Sequence, residues 1–339
     1  MTPEISAAHR AERATRLLHR AATVGVALTF AVIVASAWLR LAQAGLGCVD
    51  WPTCYGAAVT VKVEQSSLPF AIMRITHRIA ASLVGFLVIV IAAVSLGRMR
   101  RELGCARLAG VIVALTLFLA VLGTATPGAQ LPAVTLGNLL GGMALVAAME
   151  WLRLATFEAP SRARFAARPV LMIGIALLAL QLTLGALVSA NYAGASCASF
   201  PGCGGAWEMS GAMARLLDPW QLPPPVQGAA LIDDPARAGL HMLHRFAAAL
   251  VVIWWCAVAL AALRRKSPGA AAASWAAGVL LVQGALGAGA VMSGLPLGLA
   301  VAHNACAAAA VLAATRTVFQ ARFSDEARVS AACQMVTSK

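Results

Sequence analysis

The stretch "ITHRIAASLVG", residues 75–85, sets a His-Arg pair, His77 and Arg78, near the start of a long apolar run. Its core "THRIAASLV" (76–84) returns as "LHRFAAALV" (243–251), with His244 and Arg245 in the same places. A helix needs about 20 apolar residues to cross the hydrocarbon core of a bilayer. Eight segments qualify: 20–41, 70–97, 107–126, 132–152, 169–190, 237–262, 270–292 and 295–315. The whole chain agrees, being 60% hydrophobic and only 12% charged over 339 residues, too little charge to cover a soluble surface. The expected fold is therefore all-α and integral to a membrane, with eight transmembrane helices.

The net charge of +13 would suit a nucleic-acid partner, but its placement argues against one. Arg10, Arg13, Arg16 and Arg20 precede span one, and Arg98, Arg100, Arg101 and Arg107 lie around the loop between spans two and three. Arg153, Arg162, Arg164 and Arg168 follow span four, Arg264, Arg265 and Lys266 follow span six, and Arg316, Arg322, Arg328 and Lys339 follow span eight. All of these fall on one side of an eight-span chain, so the positive-inside rule puts both termini in the cytoplasm. The basic excess reads as topology, with the lipid bilayer as the partner and no nucleic acid. Span one is followed by an A-x-A-like "AQAG" (42–45), yet it is longer than a signal-peptide core and seven spans follow it. With no Ser- and Arg-rich targeting extension, a bacterial inner membrane is expected.

The repeat extends beyond the histidines. "CVDWPTCYG" (48–56) matches "CASFPGCGG" (197–205), and "LPAVTLGNLLGG" (131–142) matches "LPLGLAVAHNACAA" (295–308). Each half is a four-helix unit, and an even number of spans gives both the same orientation about an axis along the membrane normal. The expected division is a cytoplasmic segment 1–19, a bundle 20–155, a linker 156–168, a second pseudo-symmetric bundle 169–317 and a cytoplasmic tail 318–339.

The pairs Cys48/Cys54 and Cys197/Cys203 lie in loops assigned to the outer face, where an oxidising compartment favours disulfides Cys48–Cys54 and Cys197–Cys203. Free thiols, or metal ligation with Asp50, are the alternatives, although C-x5-C is not a usual zinc spacing. Cys105 and Cys333 face the reducing side, and Cys256 and Cys306 read as small apolar fillers. The long outer segment 191–236, with "PPP" at 223–225, reads as an ordered cap.

His9 and His19 sit among N-terminal arginines and are expected to be solvated. His77, His244 and His303 come early in spans that run inward, so they share a depth. A lone membrane histidine is as well explained by a hydrogen bond between helices as by ligation. Neutral imidazoles at one depth on facing helices also suit axial ligation of haem iron. His244 with His303 then makes a haem b site, with Arg78 and Arg245 placed to snorkel toward propionates and His241 one turn outward as a propionate-side group. Copper or zinc would need further Cys, Met or carboxylate ligands. In the first half, the partner position of His77 holds Asn138, a poor iron ligand.

The stretches "AGLGCVDWPTCYG" (44–56), "THRIAASLVG" (76–85), "LPAVTLGNLLGGM" (131–143), "VSANYAGASCASFPGCGGAW" (188–207), "HMLHRFAAALV" (241–251) and "GLPLGLAVAHNA" (294–305) resemble the haem A synthase family of membrane proteins. The resemblance implies two pseudo-symmetric four-helix bundles and oxidation of the C8 methyl of haem O to a formyl group, giving haem A for terminal oxidases. It implies haem b on His244 and His303, and haem O as substrate near His77. It brings haem O synthase and terminal oxidase assembly factors into view as partners. Family members carry a glutamate one turn before the first N-terminal histidine and a second histidine in span four. Here those positions hold Arg74 and Asn138. Two readings follow: an enzyme whose substrate haem is held by His77 alone, and a non-catalytic haem b paralogue in electron transfer, haem handling or oxidase assembly. The repeat also suggests a transporter, but no span has the Gly/Pro-broken centre such sites need.

Overall fold

The computed structural model describes residues 3–46, 53, 55–56, 67–98, 103–125, 131–157, 168–222, 233–267 and 269–322. These form α1 (Pro3–Gln43), α2 (Leu68–Arg98), α3 (Leu103–Ala125), α4 (Pro132–Ala155), α5 (Arg168–Ala190), a short α6 (Gly211–Leu216), α7 (Pro235–Arg264), α8 (Ala270–Met292) and α9 (Leu297–Arg322). All but α6 are long and apolar enough to cross a membrane, eight spans as expected. The chain is a multi-pass membrane protein. Helix is the only answer open to most of it, because hydrocarbon offers backbone N–H and C=O groups no partner outside the segment itself.

Two helices run beyond the expected spans. α1 reaches back to Pro3 through "AAHRAERATRLLHR", a run of good helix formers braced by a Glu12–Arg16 ion pair at 2.6 Å. α9 continues to Arg322.

In the first half α1 packs on α2 and α4, and α3 on α2 and α4. In the second, α5, α7, α8 and α9 follow one another in contact, with α9 returning to α5. The halves meet where α1 and α4 lie on α9 and α4 on α5. One apolar cluster joins Leu18, Val88, Ile112 and Met149. Another joins Val146 of α4 to Leu178, Trp255, Leu280 and Val311 of the second half, so α4 serves both. Trp254 and Trp255 each donate an indole N–H to a carbonyl of α5, Val170 at 3.1 Å and Gly174 at 3.3 Å.

Close approach of α3 and α4 rests on glycine. In "GNLLG" (137–141) both glycines turn toward α3. A methyl at Gly137 would stand 2.6 Å from Leu122 Cδ2, and one at Gly141 2.9 Å from Leu119 Cδ2. Small residues four apart let membrane helices pack at short range.

The segment from 191 to 222 is held by hydrogen bonds and a disulfide. Asn191 Nδ2–H donates to the carbonyls of Leu187 and Leu216, both at 3.0 Å. Arg237, almost fully buried at the start of α7, pairs with the N-cap Asp234 and donates from Nε to the Asn191 carbonyl at 2.9 Å. Cys197 and Cys203 are joined as a disulfide with Cα atoms 4.6 Å apart. The Cys48–Cys54 pair, Cys333, the triple proline and the side chain of Cys105 lie outside the described residues. Cys256 and Cys306 are unbonded and half-buried within spans.

Gly141→Leu is expected to force α3 off α4 and destabilise the fold by about 1–3 kcal/mol, seen as a lower melting midpoint in detergent. Non-reduced peptide mass spectrometry of protein taken directly from membranes should find Cys197 linked to Cys203. Free thiols there would contradict the structure.

Candidate functional site

The second half brings two histidines together. His244 lies on α7 and His303 on α9, near each other in the bundle. Both are enclosed deep in the bundle, yet neither ring is fully covered by protein.

Each ring rests on a matched pair of residues from a neighbouring helix. On α5, a methyl at Gly185 would stand 3.0 Å from His244 Cε1, and Gln181, one turn away, has its amide 3.1 Å from His244 Nδ1. On α8, a methyl at Gly287 would stand 3.0 Å from His303 Cε1, and Gln283 has its amide 3.1 Å from His303 Nε2. The pattern Q-x3-G therefore occurs twice, in "QLTLG" (181–185) and "QGALG" (283–287). Without Cβ, each glycine leaves a notch for an imidazole.

The tautomer of His303 is fixed by its partners. Nδ1–H donates to the Gln283 backbone carbonyl at 3.2 Å, which leaves the lone pair on Nε2. A ligating histidine in a metal site is oriented in this way, one ring nitrogen tied to a carbonyl, while the other, Nε2, here accepts from the Gln283 amide that a ligand would displace. The buried Oε1 atoms of Gln181 and Gln283 have no partner. Turned about its amide axis, Gln181 would accept from His244 Nδ1–H and free Nε2 there too. Two neutral imidazoles on facing helices, each able to present one nitrogen once its glutamine amide turns aside, fit a haem held by two histidines. Among the described residues no group of three His, Cys, Asp or Glu side chains is arranged to hold a bare metal ion.

His241 is buried one turn before His244, close to the Ala193 backbone, with Nδ1 unpartnered. Arg245, expected to reach outward for a carboxylate, instead gathers the disulfide loop. Its Nη2 donates to the Cys197 carbonyl at 2.6 Å, and its Nη1 to those of Ser199 and Gly202 at 2.6 and 2.7 Å. Phe200 lies over the guanidinium, 5.9 Å away.

In the first half, His77 lies on the α2 stripe that also carries buried Phe70, Ala80 and Val84, and so turns toward the bundle. Arg74 and Arg78 are exposed, and Asn138 on α4 is half-buried. The glycines flanking Asn138 are filled by Phe118, Leu119 and Leu122 of α3 rather than by a ring. His19, expected to be solvated, in fact stacks on Phe157 and meets the Arg153 carbonyl at 3.2 Å, closing the end of α4. Reading residues one by one passed over Gln181, Gln283, Gly185 and Gly287. Their repeated Q-x3-G spacing was the available signal.

The family model described as cytochrome oxidase assembly protein (COX15-CtaA) matches residues 19–315, which span both halves and every histidine discussed above except His9. The chain is also 31% identical over 309 residues to the Heme A synthase of Shewanella oneidensis, covering 85% of this chain and 92% of that protein. With both halves of the chain and the paired histidines inside the match, the chain belongs to the cytochrome oxidase assembly protein family.

Proposed function

We propose that the chain oxidises the C8 methyl group of haem O to a formyl group, giving haem A for a terminal oxidase. The observation that carries this reading is the identity with a Heme A synthase across 85% of the chain. The His244–His303 pair supports it. In this reading haem b sits between these two residues and supplies one-electron transfer when bound. The chain's own contribution is to keep both imidazoles neutral and aimed. The Gln283 carbonyl holds the Nδ1 proton of His303, the Gln181 amide lies 3.1 Å from His244 Nδ1, where its oxygen would accept if the amide turned, and the two glycine notches set the ring planes. His77 gives the first half a single protein ligand, and haem O is the substrate there. Arg74 and Arg78 offer cations to carboxylates at its edge, and His241 presents an unpartnered nitrogen on the other side. The two bundles act as pseudo-symmetric domains, with the basic loops and both termini in the cytoplasm of a bacterium and the disulfide loop outside. Haem O synthase and oxidase assembly factors are the neighbours this role calls for.

One observation favours a second reading. Arg74 cannot accept a proton as a carboxylate does, and Asn138 sits among glycines already filled by α3 side chains. A haem b protein without catalysis, serving electron transfer, haem handling or oxidase assembly, would need only the second half. Haem extraction and chromatography separate the two. Haem O or A alongside haem B in the purified protein supports the enzyme, and haem B alone supports the paralogue.

Replacing His303 by Ala should abolish the low-spin haem b spectrum; an unchanged spectrum would remove the assignment. The double change Arg74→Glu with Asn138→His should raise haem occupancy and turn the added haem low-spin. A wild-type protein already carrying two low-spin haems would contradict this view of the first half.

A further inference from the structure

Arg40, in the last turn of α1, is a cation set between the two halves and held, among the described residues, by neutral oxygens. Nη1 donates to Ser189 Oγ of α5, and Nη2 to Asn304 Oδ1 of α9 at 3.0 Å. Among the described residues it has no carboxylate partner. Nearby Tyr55 does not neutralise it. Tyr55 is buried and meets Tyr192 edge-on at 5.8 Å, and burial pushes both phenols above their ordinary value, so both stay protonated and neutral. A guanidinium has five N–H donors, and these two bonds use two of them. Arg40 is deep in the protein yet not fully covered. An ionised side chain inside a membrane bundle is costly and ordinarily faces an opposite charge or a polar cavity. Asn304 also fixes the location, because it directly follows His303 and its own Nδ2–H is tied to the Ala300 carbonyl at 2.8 Å.

We propose that Arg40, with Asn304 and Ser189 orienting it, binds a propionate carboxylate of the haem held by His244 and His303. The inference rests on the haem reading above. It makes the first half, through α1, a direct contributor to ligand binding in the second. It also assigns the carboxylate to Arg40 rather than to Arg245, whose guanidinium is tied to the carbonyls of the disulfide loop. A charged, forked pair of this kind favours the ionised ligand.

Full-length protein from haem-deficient cells, titrated with haem b or with its dimethyl ester, tests the assignment by low-spin absorbance. Wild type should bind the free acid about tenfold to a hundredfold more tightly than the ester. Arg40→Met should lose that preference by weakening the acid alone, and Arg40→Lys should keep part of it. The preference should persist in His77→Ala, since the carboxylate belongs to the second-half haem. Equal binding of acid and ester by wild type overturns the proposal without any variant. So does an Arg40→Met change that weakens acid and ester alike, or a preference that disappears with His77. If wild type forms no low-spin haem with either ligand, the haem reading itself fails and this inference with it. Low-spin binding with an unchanged preference in Arg40→Met overturns this inference alone.

Discussion

Hydrocarbon accepts no hydrogen bonds, and that constraint governs the molecule from backbone to site. It makes the spans helical, and it obliges each polar side chain inside them to find a partner within the bundle or in a ligand. The second half meets the obligation for its histidines with two glutamines and a backbone carbonyl. The result is a pair of neutral imidazoles whose orientation is set before any ligand arrives. A ligand entering such a site need not first order its ligating groups, which is the main advantage of preorganisation.

The halves put the same small residue to opposite uses. On α5 and α8, Gly185 and Gly287 open space that an imidazole from the adjacent helix occupies. On α4, Gly137 and Gly141 open space that leucine and phenylalanine side chains of α3 fill. The first arrangement seats a polar ring, and the second closes a helix pair tightly. The absence of a second histidine at Asn138 is therefore matched by hydrocarbon packing around it, a difference in architecture as well as in one side chain.

The spans were legible because their signal is local. Long apolar runs separated by arginine clusters placed all eight helices, and the His-Arg and C-x5-C repeats exposed the two halves. The histidines were legible for a related reason, since an imidazole in an apolar run is conspicuous. Partners were harder to read. Gln181 and Gln283 are separated from His244 and His303 by 63 and 20 residues, and only the folded bundle reveals which helix each faces. Arg245 looked like a ligand-binding arginine because it directly follows His244 in an apolar run. What it holds is a loop 43–48 residues earlier, through carbonyls that carry no side-chain signature. His19 likewise seemed one more member of a basic segment until α1 was seen to run past the end of α4.

The seating of Arg40 bears on how the protein is made. Its partners are supplied by α5 and α9, 149 and 264 residues further along the chain. A ribosome adds about 5–20 residues each second, so α1 waits roughly 13 to 50 seconds before its last partner is synthesised. Throughout that interval a guanidinium near the end of the first helix lacks its final seat, and water or lipid headgroups must solvate it. The first bundle can gather its apolar faces early, whereas its polar junction with the second cannot close until the final helix is in place. Biogenesis thus ends where the chain began, with α9 locking onto α1.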